Sequence, residues 1–189
     1  MNTLFTLNYP LHSILWARES RLIKEILLIL GGVILLALSA QCVIPLKPVP
    51  LTFQSATVVL LGMIYGARLG FLTLLTYLIV GGMGLPLFAE LSSGWTPFTG
   101  ATGGYLVGFL PAALLGGFLT QQGFGRNIFS AFVATLLSAS VIFMLGVLVL
   151  SHFVGFKNAI LLGVTPFILT EPLKLLAVAF IVPSFWKKQ

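Results

Sequence analysis

Hydrophobic residues dominate the chain in six runs, separated by breaks rich in proline, glycine or charged residues. A helix that crosses a membrane fully needs about 20 apolar residues, and most of these runs approach that length. The second and third are shorter, so we expect them to be tilted, to lie in a thin region or to be extended by flanking turns. The runs are residues 22–44, 52–66, 69–83, 102–121, 127–153 and 166–186.

The breaks carry residues that end helices. Pro45, Pro48 and Pro50 follow the first run, and residues 66–70, with a glycine at each end, separate the second run from the third. The longest break, residues 84–101, is rich in glycine, proline, serine and threonine. No internal repeat is visible.

Composition narrows the class of protein. Of 189 residues, 58% are hydrophobic and only 7% are charged, whereas about a quarter are charged in an ordinary soluble domain. We therefore predict one integral membrane domain. The net charge of +6 is more typical of topology signals than of nucleic-acid binding, so no nucleic-acid partner is expected. The single cysteine, Cys42, allows no intrachain disulfide.

The basic residues predict the orientation. With six spans and a cytoplasmic N-terminus, seven flanking basic residues lie inside and two outside, as the positive-inside rule requires. Five or seven spans break this pattern. We predict an all-α integral membrane protein, a six-helix transmembrane bundle with both termini cytoplasmic. The inner residues are Arg18, Arg21, Lys24, Arg68, Arg126, Lys187 and Lys188, and the outer ones are Lys47 and Lys157.

The chain divides into an N-terminal interfacial arm, residues 1–20, and a six-helix transmembrane domain, residues 21–189. The arm has no positively charged start, and its basic residues follow its apolar ones, so a standard cleavable signal peptide is not expected. Trp16 followed by Arg18 is typical of an anchor at the membrane surface.

Glu171 and Lys174 are the most unusual residues for a span, and this topology puts them near its outer end. Residues three apart share a helix face, and a lone charge at the bilayer centre costs about 3 kcal/mol or more. They form either a structural ion pair or part of a polar pocket, in which Glu171 accepts from ligand N–H groups. Lys174 would keep Glu171 ionised or donate to a ligand oxygen. Pro172 predicts that the sixth helix begins here, with Thr170 or Glu171 as its N-cap.

The fourth run begins with a second candidate site, also on the outer side. Gly103 and Gly104 expose backbone N–H groups next to the Thr102 hydroxyl and the Tyr105 ring, and such a turn can bind a carboxylate. Gln54, at the outer start of the second run, forms either a helix–helix hydrogen bond or a ligand contact. Small residues recur every four positions along the fourth run, which favours close helix packing inside the protein. They are Gly104, Gly108, Ala112 and Gly116.

Five stretches stand out along the chain, in the order AQCVIPLKPVPLTFQ, GARLG, GLPLFA, GATGGYLVGF and TPFILTEPLK. In order and spacing, over about residues 37–180, they resemble the BioY family, the biotin-binding substrate (S) components of energy-coupling-factor (ECF) transporters. The resemblance implies a six-helix bundle in a prokaryotic cell membrane that captures biotin from outside. It also implies docking on a transmembrane T component driven by two cytoplasmic ATPases.

The resemblance also implies site residues and a docking surface. The chain departs from the family where Thr170-Glu171 replaces the usual glycine–aspartate pair, which lengthens the carboxylate. Docking through a small-residue face of the first helix would use Gly32, Ser39 and Ala40, although Leu36 interrupts that face. Aromatic residues of the 84–101 loop, Phe88, Trp95 and Phe98, would cover apolar parts of biotin or anchor the interface. The implied ligand-binding residues are Gln54, Thr102, Gly103, Gly104, Tyr105, Glu171 and Lys174.

Two alternatives remain, an S component for another vitamin and a small integral membrane enzyme such as an acyltransferase or an intramembrane protease. An enzyme needs a nucleophile with its base, or metal ligands. The chain has no aspartate, His152 stands alone in the fifth run, and Ser92, Ser93 and Ser151 lack a plausible histidine–carboxylate set. It also lacks a phosphate-binding loop, so energy must come from a partner. We expect no catalytic residue, no metal site and no cofactor besides the transported ligand.

Overall fold

The computed structural model describes residues 21–186, so the predicted arm and the C-terminal lysines lie outside the described residues. Strands β1 (Val43–Ile44) and β2 (Leu51–Thr52) pair antiparallel, with Val43 opposite Thr52. Short 3₁₀ turns cover Ala89–Leu91 and Thr165–Phe167, and a π-helical turn covers Thr120–Phe124. The helices are α1 (Arg21–Gln41), α2 (Gln54–Gly82), α3 (Thr96–Thr99), α4 (Gly103–Leu119), α5 (Ile128–Val154), α6 (Phe156–Gly163), α7 (Thr170–Ile181) and α8 (Pro183–Trp186).

Long apolar helices make this an all-α membrane protein, as the sequence predicts. Among residues 21–186, four helices are long and apolar enough to cross a membrane, namely α1, α2, α4 with its π-helical turn, and α5. A bent pair of segments, 156–167 and 170–186, adds a fifth if the two together form one span.

Helix α2 is a hairpin of two antiparallel arms. Gly66 interrupts it with φ 80° and ψ 168°, a conformation that glycine adopts without the strain that a Cβ would cause. The Gln54 side-chain amide donates to the Tyr77 hydroxyl at 2.7 Å, although a straight helix would separate these residues by roughly 35 Å. The arms, residues 54–65 and 67–82, match the second and third apolar runs.

The break at Gly66 is supported by polar groups from other elements. The carbonyl of Met63 accepts hydrogen bonds from the Thr120 hydroxyl at 3.1 Å and from the Trp186 indole N–H at 3.2 Å. A buried carbonyl without a partner costs free energy comparable to a lost hydrogen bond. The end of α4 and helix α8 therefore stabilise the turn of the hairpin.

Glycines allow α2 and α4 to pack backbone against backbone. A methyl group on Gly62 would collide with the backbone of Ala113, and one on Gly117 would collide with Ala67. The predicted small-residue stripe instead packs mainly against α5, where Gly104 faces Leu145. The expectation that the stripe packs inside the protein is therefore correct.

The expected docking face of α1 is covered by the chain itself. Leu36 and Ala40 are fully buried and Ser39 is nearly so. A methyl group on Gly32 would meet the Thr73 side chain. These residues are buried, and Gly32 packs against α2, so they do not form an open docking surface, while large apolar residues cover the opposite side of α1.

We predict that Gly62→Ala strongly destabilises the fold, because the added methyl group meets backbone that cannot move without separating α2 from α4. The matched control is Gly31→Ala on the open side of α1, where nothing lies within 4 Å. That change should be neutral or stabilise the helix by about 0.5–1 kcal/mol. Thermal unfolding of both variants in detergent measures the difference. Equal melting temperatures would contradict this account of the α2–α4 contact.

Candidate functional site

A cavity of about 650 Å³ lies at the end of the bundle opposite the Gly66 turn. Its size falls in the range of small-molecule sites. The β1–β2 connection, the loop between α2 and α4, and the first turns of α2 and α4 surround it. The lining residues are Pro45–Pro50, Thr52, Gln54, Ser55, Phe88–Glu90, Ser92, Ser93, Thr96, Pro97, Gly100, Thr102, Tyr105, Leu106, Phe109, Ile142, Phe143 and Phe167.

Aromatic residues form much of the inner wall. The ring of Phe143 lies edge-on to Phe167 at 5.3 Å and to Tyr105 at 6.0 Å between centroids. The Tyr105 hydroxyl donates to the Gly163 carbonyl at 3.0 Å. With its hydroxyl engaged by the backbone, Tyr105 contributes mainly an apolar ring to the cavity wall.

The predicted residue Gln54 lines the cavity within a chain of buried hydrogen bonds. Its amide nitrogen donates to the Tyr77 hydroxyl, which donates in turn to the Leu87 carbonyl at 2.9 Å. The Thr52 hydroxyl accepts from the Gln54 backbone N–H at 3.2 Å. Gln54 thus joins the two arms of the α2 hairpin and is exposed to the cavity at the same time.

The predicted residues Glu171 and Lys174 form an ion pair behind the cavity wall. The Lys174 ammonium lies 2.5 Å from Glu171 Oε2, and both side chains are buried. It also donates to the Thr52 carbonyl at 2.8 Å and to the Ser55 hydroxyl at 3.1 Å. Neither member of the pair lines the cavity, but Thr52 and Ser55 do. Lys174 therefore connects α7 to the polar part of the wall.

Glu171 keeps unused capacity to accept hydrogen bonds. Oε2 lies close to the Lys174 ammonium, but the geometry of this contact is not that of a hydrogen bond. The buried Oε1 has no hydrogen-bond partner among the described residues. A buried carboxylate normally satisfies its remaining lone pairs. The N-cap of α7 is Leu169 rather than Thr170 or Glu171, so the predicted cap is wrong by one or two residues.

Of the residues predicted to bind ligand at the start of α4, Thr102 lines the cavity, whereas Gly103 and Gly104 pack against neighbouring backbone. Thr102 lines the cavity, and its hydroxyl donates to the Pro97 carbonyl at 3.2 Å. Methyl groups on Gly103 and Gly104 would collide with the backbone carbonyls of Phe98 and Leu145 respectively. Neither glycine lines the cavity, and close packing explains why a glycine stands at each position. The predicted contact of these glycines with a ligand stays a prediction.

The structure adds residues that the sequence did not single out. Gln41 and Tyr77 hold the cavity loop by hydrogen bonds to its backbone, and Ser55 joins the wall to Lys174. Phe88, an expected aromatic cover, lines the cavity, whereas Trp95 is 66% exposed and does not. The available signal was weak: Gln41 is a polar residue near the end of the first apolar run, and Tyr77 lies inside the third.

The fold and the cavity define a helical membrane protein with a small-molecule-sized site at the end of its bundle. The sequence model of the BioY family matches residues 8–189, and the chain belongs to this family.

Relatives from distant organisms support this membership. The chain is 38% identical over 151 residues to the probable biotin transporter BioY of Pyrococcus horikoshii, covering 80% of this chain and 89% of that protein. It is 33% identical over 176 residues to the probable biotin transporter BioY of Rickettsia prowazekii, covering 93% and 90%. The Thermotoga maritima biotin transporter BioY is 36% identical over 149 residues, covering 78% and 86%.

A solved structure shares the fold. It is the S-component for biotin from an ECF-type ABC transporter, with a TM-score of 0.81, 21% identity, and coverage of 91% of this chain and 96% of that chain. At this identity the match establishes the architecture of the bundle, and the site residues rest on the geometry described above.

Proposed function

We propose that this protein captures biotin and acts in its uptake as the membrane-embedded S component of an ECF-type ABC transporter. Family membership supports the ligand class, and the cavity is the observation that carries the proposal. Biotin has an apolar chain, a neutral ureido ring with N–H donors and a carbonyl, and a carboxylate. The cavity offers an aromatic inner wall and polar groups at Thr52, Gln54, Ser55 and Thr102, which fits a ligand of this mixed character.

Charge complementarity suggests how the two ends of biotin are held. Lys47 lies on the exposed rim of the cavity and suits a carboxylate, together with the Thr102 hydroxyl. The buried carboxylate of Glu171 has acceptor capacity to spare directly behind the wall. Although Glu171 does not line the cavity, we propose that the ligand reaches it through the part of the wall formed by Thr52 and Ser55, and that it accepts from the ureido N–H groups with Lys174 as its ion-pair partner. The alternative, a purely structural pair, makes different predictions for variants.

The proposed arrangement in the membrane has six spans, with both termini cytoplasmic and the cavity facing outward. The hairpin at Gly66 supports counting α2 as two crossings, and the bend after residue 167 supports counting the last two segments as one. Charge supports the orientation: Arg68 pairs with Glu25 at 3.7 Å at the end away from the cavity, as the positive-inside rule favours for a cytoplasmic end.

The proposed partners are biotin, the lipid bilayer, a transmembrane T component and two cytoplasmic ATPases. The chain carries no phosphate-binding loop in its sequence, so we propose that ligand binding needs no ATP and that accumulation of biotin depends on the partner subunits. We propose no catalytic role for it, and localisation in a prokaryotic cell membrane.

We predict that Glu171→Gln weakens biotin binding while the protein stays folded. The amide loses the charge and presents N–H donors to a donor ligand, so the expected loss is about 1.5–3 kcal/mol, or roughly 10- to 150-fold in Kd. Lys174→Met should weaken binding as well and also lower stability, because it leaves a buried carboxylate unpaired, a change that typically costs about 3–5 kcal/mol. Biotin titrations and thermal melts measure both effects.

The double variant Glu171→Gln, Lys174→Met separates ligand binding from a structural ion pair. If the carboxylate contacts biotin, removing both charges restores much of the stability, and binding stays weak. If the double variant binds biotin as well as the unchanged protein, the pair is part of the scaffold and the ligand contact assigned to Glu171 is wrong.

Orientation is testable by thiol labelling in intact cells. In a Cys42→Ser background, Leu91→Cys in the exposed loop over the cavity should react with a membrane-impermeant reagent. Arg68→Cys and Arg126→Cys should react only after the membrane is permeabilised. The reverse pattern would turn the cavity towards the cytoplasm and overturn the proposed direction of capture.

A further inference from the structure

The turn that covers part of the cavity has an unfavourable backbone conformation. Glu90 and Leu91 have φ values of 57° and 55°, in the left-handed region that side chains with a Cβ rarely occupy. Glu90 lines the cavity, while Leu91 is 64% exposed and does not. Two consecutive residues of this kind persist only where other contacts hold them.

Gln41 supplies such contacts on both sides of the turn. Its side-chain nitrogen donates to the Phe88 carbonyl at 3.0 Å, and its side-chain oxygen accepts from the Leu91 backbone N–H at 3.1 Å. These residues are 47 and 50 positions away along the chain. Gln41 is the last residue of α1, so one half-buried amide connects the end of that helix to the turn over the cavity.

The two ends of the turn are held by different elements. Phe88 is fixed in the core: its ring is 2% exposed, lies edge-on to Tyr77 at 5.4 Å between centroids, and fits the space left by Gly81. At the other end of the turn, the backbone N–H of Leu91, the second residue of the left-handed pair, donates to the Gln41 side-chain oxygen. Within the described residues, the side chain that reaches the backbone of residues 89–93 from outside the loop is that of Gln41, through its hydrogen bond to Leu91.

We infer that Gln41 is a positioning residue for the ligand site. By bridging Phe88 and Leu91 it holds the 3₁₀ turn Ala89–Leu91 in its left-handed conformation, which places Ala89 and Glu90 in the cavity wall and slows escape of the bound ligand. The identity of that ligand as biotin rests on the proposed function, whereas the action of Gln41 on the turn does not.

The first test needs no ligand. Hydrogen–deuterium exchange of the ligand-free chain should show faster exchange, by about tenfold, in the peptide covering residues 88–93 of Gln41→Leu, as expected for loss of an ordinary hydrogen bond. The control Gln121→Leu makes the same replacement at an exposed position on the far side of the bundle and should leave this peptide unchanged. Unchanged exchange in Gln41→Leu would overturn the inference, whatever ligand the protein binds.

A rescue variant distinguishes positioning of the turn from general damage to the fold. Asparagine tolerates the left-handed region better than leucine, so adding Leu91→Asn to Gln41→Leu should restore part of the protection without altering the cavity wall. Gln41→Glu keeps an acceptor for the Leu91 N–H and loses the donor to Phe88, so its exchange should be intermediate. A double variant that exchanges as fast as Gln41→Leu would contradict the role assigned to the left-handed pair.

The second test measures biotin kinetics on the same proteins. Gln41→Leu should raise the dissociation rate of biotin by about tenfold, with a smaller change in the association rate, while the melting temperature stays close to that of Gln121→Leu. A wild-type dissociation rate despite faster exchange of the turn would overturn the claim that Gln41 retains the ligand. If the unchanged protein binds no biotin, the proposed function fails, and the exchange experiment still decides the role of Gln41.

Discussion

The reversal of α2 at Gly66 is the constraint on which the rest of the structure depends. A glycine adopts the required positive φ without steric cost, and the reversal brings Gln54 beside Tyr77. It also interrupts the helical hydrogen bonds, and a buried carbonyl left without a partner is costly. Thr120 and Trp186 donate to the Met63 carbonyl, so this carbonyl beside the turn has hydrogen-bond partners. Elements that are distant in sequence are therefore fixed around one hairpin.

The site is built at the open end of the same hairpin. Gln54 and Tyr77 carry the hydrogen bonds from one arm to the other and on to the Leu87 carbonyl, where the loop over the cavity begins. Lys174 adds a second connection, from α7 to Thr52 and Ser55. These hydrogen bonds join separate segments of the chain, so the wall is held by the interactions that hold the bundle together.

Much of the fold follows from the sequence because its signals are local. The apolar runs give the helices, and the short second and third runs are explained by Gly66. The small-residue stripe correctly indicates close packing. The burial of the expected docking face of α1 could not be predicted, because a row of small residues does not show which surface it packs against. Leu36, for example, is fully buried within the chain's own fold. Side-chain identity alone does not separate an inward face from an outward one.

The site is only partly readable from the sequence. Gln54, Thr102 and Tyr105 do line the cavity, because polar groups at the outer ends of spans tend to gather there. Gly103 and Gly104 show that a glycine pair at a helix start serves packing as readily as ligand binding. Gln41 and Tyr77 were missed because their partners lie in a distant or irregular loop, and no periodic pattern marks such a hydrogen bond.

We propose that the cavity at the end of this bundle binds biotin without ATP or a partner subunit. Equilibrium titration of the purified chain with biotin, in detergent and without nucleotide, tests this proposal. We expect saturable binding of one biotin per chain, with desthiobiotin, which keeps the ureido ring, competing for the site. A folded chain that binds no biotin under these conditions, or that binds another vitamin instead, would contradict it.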